Sequence, residues 1–310
     1  MKEIKNVLIC GIGAVGSIYA NKINEFAPDN LRVLVDKSRL ENYTKNPKIF
    51  NGKPLNFNYI LPESTDFKAD LIIIATKFDG LLDVINNIKN FVKEDTIIMS
   101  LLNGVTSEGI IAEKYGWQNV PLAYFIGHSA MREGNNITHD GVGDIVFGIK
   151  NSENTNVEIV NIIKNYFDKV GIDYKTPADM FRAYWLKFML NVSANQPSAV
   201  LNMTFGQMQN SKKFVEFLKN VMAEVQMIAK LEGVKNTETM VDEALVGFNK
   251  MTPDGKTSML QDVEARRVTE VEMFAGTMIE LGKKYSVKTP YNQVLKELIE
   301  IIQENYKNNN

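Results

Sequence analysis

A glycine turn set between a short apolar run and an amphipathic one limits the folds open to this chain more than any other feature. Gly11-Ile12-Gly13-Ala14-Val15-Gly16 follows Val7–Cys10, four apolar residues in succession, and opens a stretch with helical periodicity that lasts to Phe26. In a G-x-G-x-x-G string between strand and helix, the first glycine permits the tight turn and the second lets backbone approach a pyrophosphate. The third lets helix and strand pack closely, and the helix N-terminus favours the negative charge. The context predicts the opening βαβ unit of a dinucleotide-binding sheet.

Residues 31–35, 71–75, 96–99 and 122–126 are further short apolar runs. They are almost continuously apolar, as parallel strands covered on both faces are. Helical stretches at 14–26, 80–92 and 105–115 alternate with them, which predicts right-handed βαβ units in a doubly wound α/β sheet. Asn51-Gly52, within 48–60, signals a hairpin or short extra strands. The glycine-rich stretch 134–148 reads as a further antiparallel pair at the sheet edge. Beyond Thr176-Pro177 strand signals cease, and helical periodicity runs over 178–201, 212–232, 237–249, 259–285 and 291–306. Pro253-Asp254-Gly255 and Pro290 punctuate it. Two domains are expected: α/β and dinucleotide-binding over 1–177, all-α and substrate-binding over 178–310, with a fraying end at 307–310.

Thirty-five Lys+Arg against 37 Asp+Glu leave a net charge of −2, without the basic excess that nucleic-acid or membrane-surface binding requires. Cys10 is the only cysteine, so no internal disulfide forms and a reducing cytoplasm fits best. In a buried strand it reads as a small hydrophobe. His128 and His139 are too few for a metal centre, so no metal is expected, and His139 reads as structural. No apolar run reaches the ~20 residues that a bilayer crossing takes. The opening MKEIKNVLICGIG lacks the h-region of a signal peptide. The expected protein is cytoplasmic, acts on a small molecule, and is compatible with a homodimer.

Asp36 stands twenty residues after Gly16, at the end of the second strand. A carboxylate there hydrogen-bonds the adenosine ribose 2′-hydroxyl and repels a 2′-phosphate, which favours NADH. Lys37 and Arg39 could reach a phosphate, which keeps NADPH open, and equally suit a solvated turn and helix start. Lys77 and Asn103-Gly104 follow runs 71–75 and 96–99, at strand ends where open α/β sheets bind ligands. An exposed lysine and a simple turn are their plainer readings.

In the second half, Lys187 and Asn191 are the only strongly polar residues of the run 184–192, and Asn195 follows four residues later. Positions i, i+4 and i+8 share a helix face. Burying an ammonium is costly and depresses its pKa; the plainer reading is a lysine that snorkels to solvent. Ser258-x-x-Gln261 is a capping-box pattern with Ser258 as N-cap, and a hydroxyl at a helix N-terminus also suits a carboxylate. Glu270 is expected mid-helix, with Arg266 at i−4 and Arg267 at i−3, a surface ion pair by spacing alone.

Together these residues resemble the 2-dehydropantoate 2-reductase, or ketopantoate reductase, family. The likeness runs through Gly11-x-Gly13-Ala14-x-Gly16, Leu102-Asn103-Gly104 and Lys187-x3-Asn191-x3-Asn195. It continues through Thr257-Ser258-Met259-x2-Asp262, Arg267-x-Thr269-Glu270 and Thr289-Pro290-x-Asn292, in order over essentially the full chain. The resemblance implies an N-terminal Rossmann domain, an all-helical C-terminal domain, and an active site in the cleft between them. It also implies NAD(P)H-dependent reduction of 2-dehydropantoate to pantoate, on the route to pantothenate and coenzyme A. By the same resemblance Lys187 protonates the ketone oxygen, and Glu270 binds the substrate's hydroxyl and helps fix the lysine. Asn191, Asn195 and Ser258 hold substrate hydroxyl and carboxylate groups, while Asn103 and Lys77 sit between nicotinamide and substrate.

Two positions depart from the family pattern. Asp36 occupies the neighbourhood where many members carry a basic residue suited to NADP. Ala275 stands where the family often has asparagine, in Glu270-Val-Glu-Met-Phe-Ala275-Gly276, which leaves another 2-oxo acid open as substrate. The alternatives are a related two-domain dehydrogenase acting on another 2-oxo acid or a 3-hydroxy acid, and a non-catalytic dinucleotide sensor. Lys187, Asn191 and Glu270 argue against the sensor, which needs no buried proton donor.

Overall fold

Short runs of Val, Ile and Leu with no polar alternation need cover on both faces, and in the first half they find it. The structure is a computed structural model that describes residues 3–127, 130–139, 141, 143–150 and 156–307. Strands β1 (Val7–Cys10), β2 (Leu31–Leu34), β3 (Ile49–Phe50), β4 (Lys53–Pro54), β5 (Tyr59–Ile60), β6 (Leu71–Ile74) and β7 (Ile97–Ser100) come first along the chain. Five of them form a parallel sheet in the order β5-β2-β1-β6-β7. The chain leaves β1 for β2 on one side and later lays β6 on the other. The glycine turn after β1 therefore stands where the strand order reverses, the position at which open α/β sheets bind ligands. Cys10 is in register with both Leu34 and Ile74, so the carboxyl ends of the three central strands are level.

Helices α1 (Ala14–Phe26), α2 (Lys37–Lys45), α3 (Leu81–Asn87), α4 (Ser107–Tyr115) and α5 (Glu158–Val170) accompany the strands. Ile18 and Ile23 of α1 and Ile163 and Phe167 of α5 share one core with Ile9, Val33 and Ile73 of the sheet. Cys10 is buried in β1, and burial pushes its thiol pKa up, as for a packing residue.

Three expectations for this half need correction. Strand β8 (Leu122–Ile126) lies outside the parallel sheet. The chain continues through β9 (Ala130–Glu133), β10 (Asn136–His139), β11 (Asp144–Gly148) and β12 (Tyr174–Lys175), and β8 pairs antiparallel with β11. A short apolar run signals burial and does not encode the direction of its partner. The glycine-rich stretch does not edge the main sheet either. Its two strands do not pair with each other: β10 joins β9 and the hairpin β3–β4 in a separate sheet of order β4-β3-β10-β9, and β11 lies with β8 and β12. Asn51 and Gly52 turn that hairpin with φ of 45° and 80°, as a primed turn requires. Finally, the helix expected over 80–92 stops at Asn87, in a stretch with three asparagines, which are mediocre helix formers. Helix α5 was not among the expected elements, and α2 was expected only as one reading of Lys37 and Arg39, a helix start. His139 stacks on Phe50 with ring centroids 4.5 Å apart, whereas His128 and residues 308–310 lie outside the described residues.

The chain forms two compact units, Met1–Leu102 with Ser107–Phe181, and Asn103–Thr106 with Arg182–Asn310. The second is built from α6 (Met180–Leu190), α7 (Gln196–Leu201), α8 (Phe205–Gln209), α9 (Lys212–Leu231), α10 (Met240–Asn249), α11 (Ser258–Glu264), α12 (Thr277–Tyr285) and α13 (Pro290–Lys307). Leu218, Met222 and Val225 of α9, Phe274, Met278 and Ile299 are fully buried.

Two of the long helices expected here are interrupted. Between α6 and α7 lies a π-helical segment, Asn191–Asn195. Pro197 lacks an N–H, so the α-helical ladder cannot run through it. The stretch 259–285 breaks after α11, turns through Arg266 in the left-handed region (φ 50°), and resumes at Val271. A second π segment, Glu272–Gly276, then leads into α12. Among the described residues, no helix is long and apolar enough to cross a membrane. Nor do three or more His, Cys, Asp or Glu gather among them to hold a metal ion.

Candidate active site

In the first unit the glycine turn divides its labour among three positions. Gly11 adopts φ +98°, and a Cβ on it would lie 2.7 Å from the Ala75 carbonyl oxygen. A Cβ on Gly16 would lie 2.0 Å from the carbonyl oxygen of Gly11, so the turn and helix touch through bare backbone. Gly13 has nothing within 4 Å of such a Cβ, which leaves open space above the turn. Helix α1 starts beside it with no side-chain cap and no acidic residue in its first turn. Its N–H groups and the positive end of its dipole face that space, which fits the pyrophosphate of a dinucleotide. Ile12 is buried beneath, with Ala14 and Val15 half-buried.

At the end of β2, Asp36 caps α2: one carboxylate oxygen accepts the Arg39 N–H at 2.7 Å, the other the Arg39 guanidinium at 2.5 Å. Arg39 is thereby turned onto Asp36, and Lys37 faces Glu63 at 3.6 Å. Lys77 is exposed beyond β6, where it precedes a 3₁₀ turn, Phe78–Gly80.

The remaining candidates gather in the second unit. Lys187 is half-buried on α6, flanked by buried Tyr184, Trp185, Phe188 and Met189. Desolvation holds its ammonium below the ordinary value of 10.5, and it makes no hydrogen bond or ion pair with the described residues. One helical turn on, the buried Asn191 opens the π segment and donates from Nδ2 to Oδ1 of Asn103 at 3.3 Å. Asn103 in turn donates to Oε2 of Glu270 at 2.8 Å. At the other end of the π segment, Asn195 donates to the Ser258 hydroxyl at 3.3 Å. The structure thus brings Asn103, Asn191 and Glu270 into one hydrogen-bonded row, and Asn195 and Ser258 into a pair.

Two local expectations are overturned here. The N-cap of α11 is Thr257, whose Oγ1 accepts the Leu260 N–H at 3.2 Å, while Ser258 is the first helical residue. Thr257 is extended (ψ 155°) and buried, and its hydroxyl also donates to Ser198 at 3.1 Å, so packing selects it as the cap. The Ser258 side chain is left exposed. Glu270 is not mid-helix and makes no i−4 or i−3 pair with arginine. The break after α11 turns Arg267 back onto Asp262 at 2.6 Å, and Glu270 directly precedes the helix that resumes at Val271.

Sequence reasoning missed Gln196 and Asn292 as site-supporting groups. Both are fully buried, and Gln196 Nε2 donates to Asn292 Oδ1 at 3.2 Å. The available signal was a glutamine placed directly before Pro197 inside an apolar helix.

A cation in an apolar wall, three amides, a carboxylate and a hydroxyl suit a small polar substrate bearing an oxygen that gains charge. Comparison with known proteins agrees. The model of the family Ketopantoate reductase PanE/ApbA matches residues 7–152, and that of its C-terminal part matches residues 179–303. The chain belongs to the ketopantoate reductase family. It is accordingly an oxidoreductase of the ketopantoate reductase type. A 2-dehydropantoate 2-reductase of Streptococcus pyogenes serotype M1 is 23% identical over 300 residues, covering 94% of this chain and 96% of its own. A ternary structure of D-mandelate dehydrogenase with NADH and anilino(oxo)acetate superposes with a TM-score of 0.84 at 21% identity, covering 97% of this chain and 99% of that one. A dimeric ketopantoate reductase from Staphylococcus aureus gives 0.76, also at 21% identity and with the same coverage. These two share the doubly wound and helical architecture of this ketopantoate reductase family member.

Proposed function

We propose that this protein reduces 2-dehydropantoate to pantoate with a reduced nicotinamide dinucleotide, and that Lys187 is the proton donor. The observation that carries the reading is Lys187 itself, desolvated and without a partner among the described residues, one helical turn before the row Asn191–Asn103–Glu270. The division near residue 177 would separate a cofactor-binding part from a substrate-binding part. Gly11, Ile12, Gly13, Ala14, Val15 and Gly16 would hold the pyrophosphate, and Asp36 the adenosine ribose. NADH is the favoured cofactor, because Asp36 sets a carboxylate just beyond β2, where a ribose 2′-hydroxyl would bind, and Arg39 is already paired to it. NADPH is the other arm of the test. The dimeric Staphylococcus aureus relative supports a homodimer, and the lone Cys10 a cytoplasmic setting.

The bound cofactor would supply a hydride to the ketone carbon. Negative charge then develops on the ketone oxygen, where Lys187 donates a hydrogen bond and passes its proton. A lysine with a depressed pKa gives up that proton readily and is recharged from solvent. Glu270 would accept from the substrate's hydroxyl. Asn191, Asn195 and Ser258 would hold hydroxyl and carboxylate oxygens, with Asn103 and Lys77 between nicotinamide and substrate.

A second reading is a dehydrogenase for another 2-oxo acid. It is favoured by Ala275 in place of the family's frequent asparagine, and by the likeness to D-mandelate dehydrogenase. One experiment separates the two: following absorbance at the nicotinamide band with NADH and NADPH against ketopantoate and a panel of bulkier 2-oxo acids. Oxidation of the cofactor by ketopantoate is the expected result, whereas turnover of the panel alone selects the second reading. In the same assay Lys187→Ala is expected to lower kcat at least ~100-fold and leave cofactor affinity unchanged. Near-normal turnover in that variant removes Lys187 from the chemistry.

A further inference from the structure

One side chain bonds the backbone of both π segments in the helical unit. In the wider i→i+5 register the Val192 carbonyl would accept from residue 197, but that residue is Pro197 and has no N–H. Gln196 Nε2 donates to the Val192 carbonyl instead, at 2.8 Å. In the second segment the N–H of Ala275 donates to Oε1 of the same glutamine at 3.1 Å.

Gln196 is itself anchored. Its Nε2 also donates to Asn292 Oδ1 at 3.2 Å. Asn292 donates from its backbone N–H and from Nδ2 to Oε2 of Glu224, at 3.2 and 2.7 Å, and Tyr291 N–H donates to Oε1 at 2.8 Å. Glu224 is 6% exposed, Asn292 and Gln196 0%. The buried carboxylate sits at the N-terminus of α13, where three N–H donors and the helix dipole stabilise its charge. The row Glu224–Asn292–Gln196 therefore ends on the two π segments.

What the row holds in place is a rotation. A π segment inserts one residue relative to an α-helix and turns everything after it by about 100°. Asn191 and Asn195 bound the first segment, and Glu270 lies two residues before the second. We propose that Gln196, anchored by Asn292 and Glu224, is a positioning residue. By satisfying Val192 and Ala275 it fixes the register in which Asn191 meets Asn103 and Asn195 meets Ser258. The proposal rests on the reading of that cluster as the substrate site.

The test is steady-state kinetics of Gln196→Met, which keeps the volume and removes all three bonds. It uses the 2-oxo acid that the wild-type enzyme turns over, with Lys187→Ala assayed alongside. The expected result is a kcat at least ~10-fold lower with a raised KM for the oxo acid and an unchanged KM for the cofactor, the scale of lost positioning. A folded Gln196→Met with wild-type kcat and oxo-acid KM overturns the proposal, and so does an equal rise in both KM values, which marks a purely structural role. Normal turnover in Lys187→Ala overturns the catalytic reading instead, whatever Gln196→Met does. Should Gln196→Met not fold, Gln196→Glu decides. A protonated glutamic acid keeps one donor and one acceptor, so its kcat relative to wild type should fall as pH rises and the buried acid ionises. A flat ratio near one at every pH overturns the proposal.

Discussion

Lys187 combines a chemical asset with a structural cost. The ammonium is desolvated and unpaired among the described residues, so its pKa lies below 10.5 in the folded chain. Replacing it by methionine, similar in length and apolar, should stabilise the ligand-free protein by ~1–3 kcal/mol near neutral pH, the scale for an unsatisfied buried polar group. The sign with pH follows from linkage. The folded state binds the proton less tightly than the unfolded one, so the wild-type penalty is full below the folded pKa. It fades as pH rises from there towards 10.5, where both states are neutral. Thermal unfolding of Lys187→Met and wild type should therefore give midpoints that converge as pH is raised; a gap that widens would contradict a desolvated ammonium. The apolar setting of Lys187 was legible, because one lysine in an apolar run stands out in any register. The cap of α11 was not. Thr257 and Ser258 both carry hydroxyls, and only burial and the Ser198 contact select the threonine.

At the level of the element, the glycine turn offers a paired prediction from one motif. Gly16→Ala would drive a Cβ to 2.0 Å from a backbone oxygen, which must shift to accommodate it. A stability loss of about 1–3 kcal/mol in denaturant titration is expected, the range for overpacking. Gly13→Ala meets nothing within 4 Å and should unfold like wild type. Its methyl would occupy the space left for a pyrophosphate, so NADH affinity should drop by about tenfold, or ~1.4 kcal/mol, in a fluorescence titration. Equal stability losses in the two variants would mean that the turn is structural only. The strand–turn–helix context was readable because glycine sterics and hydrophobic period are local. The π segments were not readable, since counting apolar residues reports a face and is blind to one inserted residue. Helix α5 shows the converse: Ile159, Ile162, Ile163, Tyr166, Phe167 and Val170 are buried at helical spacing, and Gly171 ends the helix in the left-handed region. That pattern was present in the sequence and passed over.

For the whole molecule, the assignment of cofactor to one unit and substrate to the other makes a prediction independent of turnover. In hydrogen-exchange mass spectrometry, NADH alone should slow exchange at residues 11–16 and pantoate alone at residues 191–195 and 258. Protection of 191–195 by NADH alone, with none at the glycine turn, would reverse the assignment. The sequence by itself determined the alternation of strands and helices, the dinucleotide turn and the helical second half. Each follows from sterics and hydrophobic period within about twenty consecutive residues. Only the tertiary structure decided that Asn103 would bond Asn191, 88 residues away, and Glu270, 167 residues away. Nor could spacing have shown that Gln196 would bond the backbone of two π segments. A carboxamide takes whichever partner packing brings within 3 Å or so, and the pKa of a lysine answers to the water removed from around it, which no order of residues states.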